Sequence, residues 1–184
     1  MFQELLKKMA QELDAVSIDY MVIGGQAVLL YGEPRLTQDI DITLGVGSER
    51  LPDIRDIVKK MGWNILVKNP TEFVQRTMIL PVQDPQSRIR IVFIFSFSPF
   101  EQQAMKRVRK VYIEQTPVRF ASPEDLIIHK IIAGRPRDLE DVEGILLKNP
   151  NIDPGYIIEW LKHFEETLEH PLVEQFEELR KKCQ

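Results

Sequence analysis

The chain has 184 residues, 43% of them hydrophobic and 28% charged, with a net charge of -4; this composition suits one domain of ordinary size with a sizeable core. That charge excludes broad electrostatic wrapping of a nucleic acid, although not a local basic groove. The single cysteine, Cys183, excludes a disulfide framework and a cysteine-rich zinc site, and it predicts a reducing, cytoplasmic setting.

In chain order, Phe2, Leu5, Leu6, Met9 and Leu13 recur at helical spacing, which predicts an amphipathic helix over 3–15. This opening carries acids and lacks an apolar core of signal-peptide length. The longest strictly apolar stretch, "IVFIF" at 91–95, is far too short to span a bilayer, so no membrane association is expected. "DYMVIGG" reads as a short buried strand closed by Gly24 and Gly25, and "QAVLLYG" as a helix ending at Gly32. "QDIDITL" alternates as a strand. Ser48 is placed to cap a helix over "ERLPDIRDIVKKMG", ended by Gly62, and "WNILV" is a short strand. "FVQRTMILPV" and "SRIRIVFIF" read as two strands of an antiparallel hairpin turning at "QDPQ". Ser98, Pro99 and Glu101 then form a helix-start signature. "VRKVYIE" and "TPVRF" predict a second, shorter strand pair. Beyond residue 121 four helical stretches follow, with Ser122–Pro123 and Asp153–Pro154 as starts. The order predicts an α/β or α+β fold: a sheet packed with helices over 1–120, and a C-terminal helical part over 121–184.

Asp39 and Asp41 stand at i and i+2 of a strand, so they project to one face about 6.6 Å apart at the usual rise, while Ile40 and Ile42 enter the core. Two close anions repel unless a cation lies between them. Mg²⁺ suits such a pair, because it takes one or two carboxylates and fills its shell with water and phosphate oxygens. A bare D-x-D is also common on solvent-facing strands. Upstream, Gly24 and Gly25 stand where a strand turns into a helix, so backbone N–H groups and the helix N-terminus can approach a phosphate. Strand, Gly-Gly, helix, turn and D-x-D strand together place a phosphate cradle beside a metal-holding strand.

"YMVIGGQAVLLYGEPRLTQDIDITL" resembles the start of the nucleotidyltransferase superfamily, the polymerase-β-like fold, and is most similar to its AbiEii-like, toxin-type members. "SPEDLIIHKIIAGRPRDLEDVEGIL" resembles the second block of that subgroup: a lysine, an Arg-rich turn and an Asp-x-x-Asp helix. The resemblance implies a nucleotidyltransferase-like mixed sheet and transfer of a nucleoside monophosphate from an NTP to a hydroxyl, with Mg²⁺ or Mn²⁺ as cofactor. It assigns the metal to Asp39 and Asp41 and the nucleotide phosphates to Gly24 and Gly25. Lys130 approaches the triphosphate, and Arg35, Arg135 and Asp138 are further candidates for phosphate contact or site support. The acceptor would be RNA, protein or a small molecule, and a partner antitoxin is implied by family analogy.

One part of that pattern is missing. The superfamily normally carries a third carboxylate on a later strand, and here its place falls near Val92, with no Asp or Glu from 85 to 100. Asp84 and Glu101 flank the run, and Glu72 and Glu114 are the other candidates. Without this acid the attacking hydroxyl lacks general-base help, typically worth about 10²–10⁴-fold. A degenerate nucleotide-binding or toxin–antitoxin interaction module is therefore the alternative to an enzyme.

Other features carry two readings each. Lys106, Arg107, Arg109 and Lys110 are either a groove for RNA or polyphosphate or a solvated edge strand. Arg137 and Asp141 stand at i, i+4, a local helix pair. His129, His163 and His170 read as structural. Trp160, Phe164 and Leu168 read as core or a partner surface, and Phe93, Phe95 and Phe97 as one face packed under helices.

Overall fold

The computed structural model describes residues 1–183. The chain forms two compact units, Met1–Gln26 with Leu36–Ala121, and Ala27–Arg35 with Ser122–Gln184.

The first unit holds a seven-stranded sheet. Its elements are α1 (Phe2–Ala15), β1 (Tyr20–Ile23), the first turn of α2 (Gly24–Tyr31), β2 (Asp39–Leu44), α3 (Leu51–Lys60), β3 (Asn64–Ile65) and α4 (Pro70–Thr77). They continue with β4 (Ile79–Gln83), β5 (Arg90–Phe95), α5 (Pro99–Lys106), β6 (Arg109–Ile113) and β7 (Thr116–Phe120). The strand order is β3-β4-β5-β2-β1-β7-β6. β2 runs parallel to β5 and β1 parallel to β7, and the remaining pairs are antiparallel. This is a mixed sheet packed with helices, as the element order predicts.

Alternation sets the two faces. Ile40, Ile42 and Leu44 of β2, and Ile91, Phe93 and Phe95 of β5, are buried on one face, each contributing roughly 1.5–3 kcal/mol by removal from water. α1 buries Leu5, Leu6, Met9, Ala10 and Leu13 on its apolar stripe. At α5 the Ser98 hydroxyl accepts from the backbone N–H of Glu101, the Glu101 carboxylate accepts from that hydroxyl, and Pro99 takes the first helical position.

Three local expectations are corrected. The first half of "FVQRTMILPV" is α4, not strand: Pro70 in its first turn with Glu72 is a helix start, and Met78 ends it in the left-handed region at φ 57°. Strand character begins only at Ile79, and the antiparallel hairpin with β5 follows as expected. Ser48 does not cap α3. Ser48–Arg50 form a short 3-10 turn, and α3 starts at Leu51 with Pro52 in its first turn. Phe97 lies past the end of β5 and is 63% exposed, whereas Phe93 and Phe95 are buried.

The second unit is helical: the rest of α2, then α6 (Pro123–Ala133), α7 (Pro136–Lys148), α8 (Pro154–Leu168) and α9 (Leu172–Lys182). Ser122 accepts from Asp125 N–H and Asp153 from Tyr156 N–H, each followed by proline. The last carbonyls of α2 are satisfied from the far end of α7. Lys148 Nζ donates to Gly32 O at 3.0 Å, and Asn149 Nδ2 to Tyr31 O at 2.7 Å.

Candidate functional site

The carboxylates sit on β2, an interior strand between β5 and β1. Asp39 and Asp41 are half-buried, while the alternating Ile40 and Ile42 are buried, so both acids share the sheet face opposite the apolar one. Across to β1, Asp41 pairs in register with Ile23, the residue before Gly24. Gly24 has φ +62°, the left-handed region that glycine enters without strain. A Cβ at Gly24 would overlap Asp41 Oδ2 outright and stand 3.0 Å from its Cγ. The Asp41 carboxylate therefore lies directly against the first glycine of the pair, and Asp39 stands beside it on the same face. The glycine pair and the aspartate pair are brought together as the sequence predicts. Gly24 and Gly25 open α2, in the turn whose N–H groups have no intrahelical partner. In that same turn Gln26 is buried, and its Nε2 has no hydrogen-bond partner among the described residues.

The register also shows which residues of β5 stand beside the aspartates. β5 pairs with β2 so that Asp39 faces Arg90 and Asp41 faces Val92. Val92 thus occupies the in-register position beside Asp41, and the resemblance implies a third carboxylate near this residue. The next strand places Pro81 opposite Val92 and Gln83 opposite Arg90. Asp84 accepts from the Ser87 hydroxyl and N–H in its turn. Burial raises the Asp84 carboxyl, but the hydrogen bonds from Ser87 outweigh it and hold it below its ordinary value. Glu101 is engaged by Ser98, Glu114 accepts from Lys7 at 3.0 Å, and Glu72 is exposed on α4 beside Asn69. Among the described residues no group of three or more His, Cys, Asp or Glu gathers. Two carboxylates on one face suit a single hard divalent cation that keeps water and phosphate oxygens in its shell.

The remaining predicted residues form a cluster within the second unit. Lys130 is buried, and its Nζ lies 2.7 Å from Asp138 Oδ1 and 2.8 Å from Asp141 Oδ2. Arg35 grips Asp141 with two bonds, Nε to Oδ1 at 2.8 Å and Nη2 to Oδ2 at 3.0 Å. Arg135 Nε donates to Asp138 Oδ2 at 2.6 Å. Burial raises the Asp138 carboxyl, but Arg135 and Lys130 outweigh it and hold it below the ordinary value of 3.8. Asp141 is thus paired with Lys130 and Arg35, whereas helix spacing suggests Arg137. Glu33, Arg35, Arg137, Glu140 and Asp141 line a cavity of about 290 Å³ beside this cluster. The resemblance gives the Lys130 ammonium to a triphosphate; in the structure Asp138 and Asp141 hold it.

Sequence reasoning missed Arg90. The signal was available: "RIRIVFIF" alternates, so Arg90 and Val92 had to share a face with each other, and a parallel pairing with β2 puts that face beside the aspartates. The basic stretch ends on the sheet edge, with Arg109 and Lys110 exposed on β6.

A family model described as a nucleotidyltransferase of unknown function (DUF6036) matches residues 1–157. Several solved structures are similar. The antibiotic-resistance factor ANT(2'')-Ia in solution shares 17% identity over 91% of this chain and 95% of that chain, at a TM-score of 0.61. An antigenic nucleotidyltransferase-like protein from Paracoccidioides brasiliensis shares 18% over 95% and 91%, at 0.57. The lincosamide antibiotic adenylyltransferase LnuA, lincomycin-bound, shares 13% over 72% and 89%, at 0.51. At these identities the likeness is one of fold. A comparison with curated protein sequences gave no match.

Proposed function

This chain belongs to the DUF6036 nucleotidyltransferases, and we propose that it moves a nucleoside monophosphate from an NTP to a hydroxyl acceptor, with pyrophosphate leaving. The observation that carries this reading is the placement of Asp41, against Gly24 and beside Asp39 on one sheet face. Asp39 and Asp41 hold one Mg²⁺ or Mn²⁺, which when bound neutralises phosphate charge and polarises the phosphoryl group. Gly24 and Gly25 present the free N–H groups of the first turn of α2 to the phosphates. The bare Cα of Gly24 also leaves the Asp41 carboxylate its room. Among the residues of β5 no carboxylate stands beside Asp41 to take the proton of the attacking hydroxyl, so the chain contributes positioning and charge compensation.

The solved structures of similar fold include ANT(2'')-Ia with adenylyl-2''-tobramycin and LnuA with lincomycin. A hydroxyl of a small polar molecule therefore joins RNA and protein side chains among the acceptors to be tried. The test is incubation with each labelled NTP, Mg²⁺ or Mn²⁺, and these three acceptor classes. Label transfer that disappears in Asp39→Asn and Asp41→Asn supports the reading, and no such transfer to any acceptor refutes catalysis.

Val92 in register with Asp41 favours a second reading, a module that binds the nucleotide without turnover. Calorimetry distinguishes the two, since this module shows NTP affinity with no pyrophosphate released, and rapid release eliminates it. The AbiEii-like placement, and with it a partner antitoxin, draws its support from the second block, where Lys130, Asp138 and Asp141 meet in one ion cluster.

A further inference from the structure

Arg90 opens β5, an interior strand between β4 and β2. It is exposed and in register with Asp39, on the face that carries both aspartates. An arginine on an edge strand would be explained by protection against pairing with other chains; β5 has neighbours on both sides, so that explanation does not apply. Opposite charges directly across neighbouring strands ordinarily attract and pair. Among the described residues, however, neither the Arg90 guanidinium nor the Asp39 carboxylate has a salt-bridge or side-chain hydrogen-bond partner. An open cation thus stands next to an open anion, on the face where the third acid is absent.

A ligand that itself carries both signs completes such a face: a divalent cation on the carboxylates and a phosphate oxygen on the guanidinium. Resting on the nucleotide reading above, we propose that Arg90 binds a phosphate oxygen of the NTP and supplies the positive charge that a second metal would bring, so that the site takes one divalent ion. The planar guanidinium suits this task, because it can give two parallel N–H bonds to one phosphate and stays charged at every working pH. It replaces only the charge of a second ion. It accepts no proton, which fits a face without a base.

The experiment uses the full chain, wild type and the variants Arg90→Gln, Arg90→Lys and Asp39→Asn. Binding of each of the four NTPs, as non-hydrolysable analogues, is measured by calorimetry with Mg²⁺, and bound Mn²⁺ is counted by electron paramagnetic resonance. Arg90 is exposed, so its variants should keep the wild-type thermal midpoint. Arg90→Gln is expected to weaken NTP binding on the order of 10- to 100-fold, the loss typical of a charged hydrogen bond. Arg90→Lys should recover part of it, and one Mn²⁺ should bind per chain in the presence of the analogue. Wild-type NTP affinity in Arg90→Gln, with binding lost in Asp39→Asn, overturns the role of Arg90 and leaves the nucleotide reading standing. Two Mn²⁺ per chain also overturns it. No NTP binding by the wild type overturns the nucleotide reading itself, and the role of Arg90 with it.

Discussion

Gly24→Ala separates backbone strain from damage to the site. Three glycines have closely similar positive φ angles: Gly24 at +62°, Gly62 at +69° and Gly134 at +61°. Alanine in the left-handed region costs roughly 1–2 kcal/mol at each. At about 2–4 °C per kcal/mol for a chain of this size, each variant should lose roughly 2–8 °C in thermal midpoint. The surroundings differ. A Cβ at Gly62 meets nothing within 4 Å, and at Gly134 its nearest neighbour is a backbone oxygen at 3.6 Å. At Gly24 it enters the space of the Asp41 carboxylate. That carboxylate is the end of a half-buried side chain, so it can swing aside at about 0.5–1.5 kcal/mol of rotamer strain. Its position is then lost, and a displacement of about 1 Å in a site of this kind can reduce activity about 100-fold. Thermal melts should therefore give similar losses in Gly62→Ala and Gly134→Ala, and a loss larger by about 0.5–1.5 kcal/mol in Gly24→Ala, where the carboxylate is displaced. Calorimetry with an NTP and Mg²⁺ should show affinity reduced at least about tenfold in Gly24→Ala alone. Equal affinity in Gly24→Ala and Gly62→Ala would show that Asp41 does not depend on the bare glycine, and the geometric basis of the site would fail.

Lys130→Met should destabilise the chain by about 3 kcal/mol, the low end for removing one partner of a buried ion pair, because Arg135 and Arg35 still compensate Asp138 and Asp141. Arg135→Ala removes an ion-pair partner whose own side chain is 75% exposed, so a loss below about 1 kcal/mol is expected in chemical denaturation; equal losses would contradict this picture of the cluster. Asp138 has a lowered pKa in the folded state, so its contribution is full above its ordinary value of 3.8 and is lost only as the pH falls below that through the lowered value. Acid unfolding of Asp138→Asn should accordingly lose part of its pH dependence below about pH 4 and be unchanged in slope above pH 5. Tyr20 is fully buried, and burial pushes its phenol up to about 12. The folded state then holds the neutral phenol, and the stability this gives is present below pH 10 and lost as the pH rises through 12. An ultraviolet titration should show one tyrosine ionising near pH 12, and Tyr20→Phe should remove that step.

The fold was legible where periodicity and punctuation agreed. Helix α5 is the clearest case: Ser98, Pro99 and Glu101 announce a capped start, and the structure makes each of those contacts. Helix α4 was misread because Phe73 and Val74, residues at home in strands, sit just before a true strand. The helix rests on Pro70 in its first turn and on a single buried residue, Val74, too little to show as a 3.6-residue period. The aspartate pair and its glycines were legible because alternation fixes faces and a glycine pair after a strand has few uses. The partners of Lys130 were not. A lysine among isoleucines gives no sign of which acids will meet it, and the helix rule pointed Asp141 at Arg137 when tertiary packing supplied Arg35 from over 100 residues away. Arg90 was missed for a related reason: its meaning depends on which strand lies beside β5, and pairing between distant strands is not written in local spacing.

That β5 brings no acid to Asp41 follows from the core itself. A slip of β2 by one residue would turn Asp39 and Asp41 into the interior and expose Ile40, Ile42 and Leu44, a loss of several kcal/mol of burial before the burial of two carboxylates is counted. β5 is locked in the same way by Ile91, Phe93 and Phe95. Any register that keeps those three inward offers β2 only Arg90, Val92 or Ile94 on the aspartate face. No sliding of the strand brings an acid to Asp41, because none of the three is one. The chemistry of this face is therefore set by the outward residues of β5, and Arg90 is the only charged one among them.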